Sequence, residues 1–471
     1  MPVFTRLASL FRTSWLRDVP YRTIWGLVWP QMMMLLCSIV INLTDIWTAG
    51  RIASDIQASV GLSFQIQVLL LVFGAALGSG GMASVSQSMG AGKAGRAQRY
   101  VGLVLTSCAA VAVVIASLVW MAQGAVLSLL QTPEQILDET GYMTRVMLLG
   151  LPFFYIMQVG GTLFRAARQV IAPLIVVMVS CVMNVLGDLC FGLGWLGFPD
   201  FGMAGIAWST FSAHAVAALM TLFFLRRGGL IARRPFPPLR WVRRGAPYLF
   251  KVAVPACASS LLWHAGYLTM FVITASLPDG ASALAGLTAG MRIESLLYMP
   301  ANAFMVTASI LVGNALGAGD RAAAKRTGVA LALLAAVSMS TLGACMWPFI
   351  GDLSQVFSPD AGVQRQIVNY LFFNVLVVPF TVSGMVLNGV MTGAGATVFS
   401  LIVNTSCIWL IRLPFGYGLS HLVYHDAYGV YMAMFISMTV QTTAMAWVFF
   451  RRDWASYALN AHHHAHHKEK A

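Results

Sequence analysis

Hydrophobic residues fall into long runs along this chain, and polar ones into short gaps between them. Runs free of basic clusters cover residues 24–48, 58–82, 101–122, 141–163, 173–195 and 203–225, then 247–276, 283–312, 327–350, 367–390, 397–419 and 427–450. A helix needs about 20 apolar residues to cross the hydrocarbon of a bilayer, and every run can supply a span of that kind. The pattern predicts an all-α membrane protein of twelve spanning helices, six on either side of a gap at 227–246. That gap and its edges hold Arg226, Arg227, Arg233, Arg234, Arg240, Arg243 and Arg244 among Pro and Gly, a composition suited to a connection lying on the membrane surface.

Composition then excludes alternatives. Of 471 residues 58% are hydrophobic and only 10% charged, against about 25% charged in soluble chains. So few charges cannot cover a water-facing surface, which excludes a soluble enzyme with one anchor. The net charge of +13 comes from 29 Lys+Arg against 16 Asp+Glu. Most of the basic residues sit at the amino terminus, near 88–99, 164–172, 226–251 and 313–326, and in the tail. All these places fall on one membrane side, which the positive-inside rule makes cytoplasmic, with both termini there. The charge needs no nucleic acid to explain it. Expected units are a cytoplasmic amphipathic segment at 1–23, a first lobe at 24–226, the basic linker at 227–246, a second lobe at 247–450 and a cytoplasmic tail at 451–471, where His462–His467 read as a solvated extension. Cys37, Cys108, Cys181, Cys190, Cys257, Cys345 and Cys407 lie in apolar stretches without CxxC spacing and read as small core side chains.

The chain also repeats itself. Residues 85–99, VSQSMGAGKAGRAQR, align with residues 312–326, VGNALGAGDRAAAKR, at an offset of 227, each after the second span of its half. A fainter pair joins 163–173 to 387–397, each after a fourth span. Six spans being even, both halves start from one side, so a pseudo-twofold axis along the membrane normal relates them. Secondary transporters with this arrangement carry the substrate path at the repeat interface. The Gly-Ala-Gly-Lys at Gly90–Lys93 is not a phosphate loop: Gln87 and Ala94 stand where that motif needs Gly and Ser/Thr, and the sister copy has Asp320 for Lys. Its glycines are expected to end a helix in a tight turn.

Three acids, Asp45, Asp188 and Glu294, fall inside spans. A carboxylate there costs roughly 2.5–3.5 kcal/mol at least and normally faces a partner or a wet cavity. Asn184 and Asp188 share one helix face. At 1.5 Å per residue Asp188 and Thr210 both lie about 10 Å below the outer surface, and Asp45, one turn after Asn42, is also in the outer half. Asp45, Asn184, Asp188 and Thr210 are therefore expected to converge in one first-lobe pocket able to take H⁺ or Na⁺; the competing expectation makes each acid a structural contact. Arg292 and Glu294, two apart, cannot face each other, so each needs another partner, in an interlobe ion pair or a substrate-facing position. His214 and His264 read as packed core residues, and Arg412, ahead of Pro414, as satisfying carbonyls freed at that break. The 26 Met and 27 Phe suit a promiscuous apolar cavity that attracts cations. No Ser/His/Asp, HExxH or GxSxG pattern marks an enzyme, and no cofactor is expected.

Taken together, Pro30 with Asn42-Leu-Thr-Asp45-Ile-Trp-Thr-Ala-Gly50, Val85–Gly92, Asn184-x3-Asp188, Met291-Arg-Ile-Glu294 to Pro300, Val312–Gly319, and Gly393–Thr397 with Arg412-Leu-Pro414 make the chain resemble the multidrug and toxic compound extrusion (MATE) transporters over nearly all of 24–450. The resemblance implies two six-helix lobes in a V, alternating access, and export coupled to inward H⁺ or Na⁺ flow. In the branch it is most similar to, an Asp on the first helix, an Asn and an Asp four apart on the fifth and a Thr on the sixth form the cation site; these match Asp45, Asn184, Asp188 and Thr210. Another branch uses a Glu on the seventh helix and an Asp on the tenth. Here the stretch after Pro255 and residues 367–390 hold no acid, so coupling is expected in the first lobe. Pro30, Asn42, Glu294 and Arg292 are candidate gating or substrate residues. The expected protein is a monomeric exporter of amphipathic or cationic compounds in a bacterial inner membrane. A flippase of lipid-linked saccharides in the same superfamily is the alternative and would need a cavity rich in Arg or Lys; an intramembrane enzyme and a channel are further rivals.

Overall fold

A computed structural model describes residues 21–232 and 237–459. The amphipathic segment expected at the amino terminus and the His-rich tail lie outside the described residues, apart from a few at their inner edges. Among the described residues twelve helices are long and apolar enough to span a membrane: α1 (Tyr21–Ile52), α2 (Ser54–Gly90), α3 (Ala94–Met121), α4 (Glu134–Ala166), α5 (Ile171–Gly192), α6 (Met203–Arg227), α7 (Leu239–Ala275), α8 (Met299–Gly317), α9 (Arg321–Phe357), α10 (Ala361–Ala394), α11 (Thr397–Val423) and α12 (Tyr428–Arg451). The eighth apolar run is broken: a helix Gly280–Leu297 stops at Tyr298 and α8 restarts with Pro300 in its first turn, where a missing N–H costs nothing.

The helices are apolar on nearly every face. Leu219 and Phe223 on α6 and Leu268 and Val272 on α7 are exposed where lipid would lie. Four cysteines, Cys108, Cys181, Cys190 and Cys407, are buried as the sequence suggests; Cys37 and Cys257 are only partly buried and Cys345 is exposed. An all-apolar helix does not announce which face turns inward.

The sequence repeat has a direct structural meaning. Both copies continue their helices for another turn or two before ending, at Gly92 and Gly319, in left-handed backbone that favours glycine (φ +68° and +85°). The last turns of α2 and α8 then cross, backbone against backbone. A Cβ on Gly90 would sit 2.0 Å from the Asn314 carbonyl oxygen, and one on Gly317 would sit 2.1 Å from that of Gln87. The two contacts exchange under the 227-residue offset, so the pseudo-twofold axis passes through this crossing. Gln87 fastens it: its Nε2 donates to Gly393 O at 2.7 Å, and its Oε1 accepts from Tyr248 Oη at 3.2 Å and from Leu459 N at 2.8 Å.

Buried apolar packing follows the same geometry. One cluster runs through both lobes and includes Val85, Val101, Leu249, Ile310 and Val312 around the crossing. Two others stay within single lobes: Ala49, Val60, Met143 and Ile206 in the first, and Tyr267, Met270, Leu287 and Tyr370 in the second. Lobes joined at the side bearing the basic turns and packed separately at the other give the V.

Candidate functional site

The first-lobe site is built where α5 changes pitch. From Asp188 to Gly192 the helix makes a wider π-helical turn, a distortion that recurs at functional positions because it rearranges the backbone hydrogen bonds and re-aims side chains. Asn184, one turn earlier, and Asp188 are both buried, Asp188 at 0% exposure. Asn184 Nδ2 donates to Thr210 Oγ1 on α6 at 3.0 Å, and Thr210 Oγ1 in turn donates to Ile206 O at 3.0 Å. The neighbouring Ser209 hydroxyl donates to Asp188 Oδ1. From α1, the Asp45 side chain comes close to those of Asp188 and Asn184.

Asp45, Asn184, Asp188 and Thr210 thus meet, and their polar atoms are out of balance. Asp45 Oδ1, Asn184 Oδ1 and Asp188 Oδ2 are buried acceptors with no donor. Two carboxyls this close need a proton or another cation between them, since like charges at that range cannot both stand bare in a dry interior. Asp45 also lines a cavity of about 50 Å³ with Asn42, Ser63, Gln67, Thr210 and His214, room for a few water molecules at roughly 10–15 Å³ each. Asn42 Nδ2 donates back to Ser38 O at 2.8 Å, and the His214 ring lies 4.7 Å from that of Phe154. His214 is a cavity residue, not the plain core residue expected. Ser209 was invisible to composition or depth.

Pro30 is buried inside α1. It has no N–H to offer the carbonyl four residues back, which loosens the helix there. The adjacent Gln31 Nε2 donates to Leu27 O at 2.8 Å and to Thr307 Oγ1 on α8 at 3.0 Å, tying the weak point of α1 to the other lobe.

The second lobe carries a different set. Tyr370 on α10 donates its hydroxyl to Glu294, and Asn374 lines the same cavity as that carboxyl. The two, with Thr381 and Tyr431, line a cavity of about 20 Å³. Arg292 is exposed, and among the described residues neither it nor Glu294 enters an ion pair. The interlobe ion pair is therefore not formed. Arg412 does not satisfy carbonyls near Pro414 as its position suggested. Its side chain is 2% exposed, its Nε donates to Ser437 Oγ at 2.8 Å, and its guanidinium lies 5.4 Å from the Tyr267 ring centre. Both terminal nitrogens are buried without an acceptor. The reason is another π-helical turn, Cys407–Arg412, which swings the side chain inward to α12 in place of the helix's own backbone.

Arg412 is the repeat mate of Asp188. The two are 224 residues apart, the same offset as Pro173 to Thr397, and each hydrogen-bonds a serine on the last helix of its half, Ser209 and Ser437. Asp188 opens a π-helical turn on the fifth helix of its half, and Arg412 closes one on the fifth helix of the other. One position holds an acid and the other a guanidinium, so the lobes present opposite charge at equivalent places.

Two related six-helix units, apolar toward lipid and each holding an ionisable group on an internal cavity of its own, define a polytopic membrane transporter. The family profile MatE matches residues 30–189 and 255–418, and the chain belongs to the MatE family of transporters, which is not a family of enzymes. It is 25% identical over 448 residues to a multidrug resistance protein, NorM, of Thermotoga maritima, covering 91% of this chain and 92% of that one. It is likewise 25% identical to the protein DETOXIFICATION 39 of Arabidopsis thaliana, over 93% of this chain and 85% of the plant protein. Among solved structures, a MATE protein in the bent conformation superposes with a TM-score of 0.85 at 19% identity, covering 96% of this chain and 99% of that one. The Vibrio cholerae MATE transporter VcmN in its bent form gives 0.84 at 18% identity, covering 93% and 98%. At these identities the superpositions speak for the fold.

Proposed function

We propose that the protein is a secondary active multidrug exporter that moves amphipathic or cationic compounds outward in exchange for H⁺ or Na⁺ bound at Asp45 and Asp188. The observation that carries this reading is the pair of neighbouring carboxyls, Asp45 lining a cavity, with three undonated acceptor oxygens among Asp45, Asn184 and Asp188. Asn184 and Thr210 complete the shell, and Ser209 holds Asp188 in place. With no ion the two carboxylates repel, and α1 stands away from α5; an ion between them draws α1 in. Because Gln31 links α1 to Thr307 next to Pro30, that movement bends α1 at its weak point and reaches the lobe interface, expelling substrate. Arg412 at the mate of Asp188 supports coupling through the first lobe alone, since a fixed guanidinium repels the ion its counterpart attracts. The basic side is the cytoplasmic side of a bacterial inner membrane in this reading, and the α2–α8 crossing is the closed inner gate.

The test is dye efflux from proteoliposomes with pH and Na⁺ gradients imposed separately. Asp45→Asn and Asp188→Asn abolish gradient-driven efflux in protein that still inserts and elutes as wild type. Full efflux by either variant refutes the coupling site, and the gradient that drives wild type identifies the ion.

A further inference from the structure

A second cavity, of about 240 Å³, opens between the lobes closer to the α2–α8 crossing, lined by α1, α4, α5, α6 and α8. The wall mixes apolar side chains, including Met157 and Val177, with three amides, Gln31, Gln158 and Asn302. One charge faces it: Arg165, in the last turn of α4. Its Nη2 donates to Thr162 Oγ1 on its own helix at 2.8 Å, while Nε is buried with no acceptor. Among the described residues no carboxylate pairs with it. Gln31 Oε1, on the opposite wall, is a buried acceptor with no donor.

A guanidinium presents its donors in a planar fork matched to carboxylate or phosphate. Placed in this chamber without an internal counter-ion, it is an uncompensated charge that an anionic ligand would neutralise. We propose that this cavity binds an amphipathic monoanion, its carboxylate or phosphate oxygens accepting from Arg165 and its compact apolar body packing on Met157 and Val177. The site shares no residue with the Asp45–Asp188 pair, and binding to it needs no ion gradient, so it stands or falls apart from the coupling reading. It extends the range of carried or regulatory molecules to anions, taken up near the closed crossing on the side away from the carboxyl pair.

The probe is radiolabelled 1-naphthoate, with 1-naphthamide as its neutral isostere, in equilibrium dialysis against the full-length protein in detergent. Naphthoate binds saturably and at least tenfold more tightly than naphthamide. Arg165→Gln lowers naphthoate affinity at least tenfold; Arg165→Lys, which keeps charge but not the fork, loses less. Val177→Trp, which fills the chamber and leaves Arg165 intact, also blocks binding, so the result does not depend on one variant's folding. Repeating the measurement in phosphatidylcholine nanodiscs with and without phosphatidylglycerol separates the sources: displacement by phosphatidylglycerol assigns the site to a lipid phosphate, and its absence assigns it to a soluble carboxylate. Equal binding of naphthoate and naphthamide, or wild-type naphthoate affinity in Arg165→Gln or Val177→Trp, overturns the proposal.

Discussion

Gly90→Ala replaces a hydrogen by a methyl group at a place where two backbones touch. The new Cβ would lie 2.0 Å from Asn314 O and 2.7 Å from its carbonyl carbon. The closest ordinary carbon–oxygen contacts are about 3.3 Å, so α2 and α8 must part by roughly 1.3 Å. No side chain can rotate away, because the obstruction is main chain. Overpacking of this kind costs about 1–3 kcal/mol, and that cost falls only on the conformation in which the helices cross. The closed-to-open ratio at the basic side therefore drops by about 5- to 150-fold. Gly317→Ala meets Gln87 O at 2.1 Å and forces apart the same crossing. The two changes are then strongly non-additive, because once the helices have parted the second methyl finds room. Nitroxides at Ala94→Cys and Ala322→Cys, both exposed at the turns beyond the crossing, read the separation by pulsed electron resonance in a background where exposed Cys345 is serine. Wild type gives one short distance; either alanine variant gives a dominant longer one, and the double variant adds little. An unchanged short distance in both single variants, or full additivity, refutes the reciprocal-crossing argument.

Other expectations follow from the same geometry. Asp188→Asn removes one of two charges that at about 4 Å and an effective dielectric of about 20 repel by about 4 kcal/mol, so affinity for the driving ion falls up to about a thousandfold; equilibrium binding of that ion to the purified protein checks this, and wild-type affinity in the variant contradicts it. Gln31→Leu cuts the hydrogen bond to Thr307 and leaves that hydroxyl and the Leu27 carbonyl with fewer partners, at about 1–3 kcal/mol; the nitroxide distances should shift toward the open population, and no shift denies Gln31 a role in holding the lobes. Ser437→Ala strips Arg412 of its one hydrogen-bond acceptor among the described residues and lowers thermal stability by about 1–3 kcal/mol, whereas Arg412→Met, which removes a buried charge whole, leaves stability level or raised; the reverse order of unfolding midpoints counts against an uncompensated guanidinium.

Sequence alone determined the twelve spans and their division six and six, because bilayer thickness ties hydropathy to residue count. It also placed Asp45, Asn184, Asp188 and Thr210 at one level, and these four side chains meet in the fold. What it left open is rotation about each helix axis. In helices apolar on every face the 3.6-residue pattern carries little contrast, so nothing in the string distinguished Ser209, which faces Asp188, from its neighbours. The π-helical turns at Asp188–Gly192 and Cys407–Arg412 compound this, since each changes the local winding and re-aims the residues beyond it, and so Arg412 turned to Ser437 and away from the carbonyls near Pro414. The 227-residue repeat was plain as a string, yet that its glycines are the contact points of the two lobes became visible only when α2 and α8 were laid across each other, because close approach of two backbones is a property of the pair and of neither segment alone.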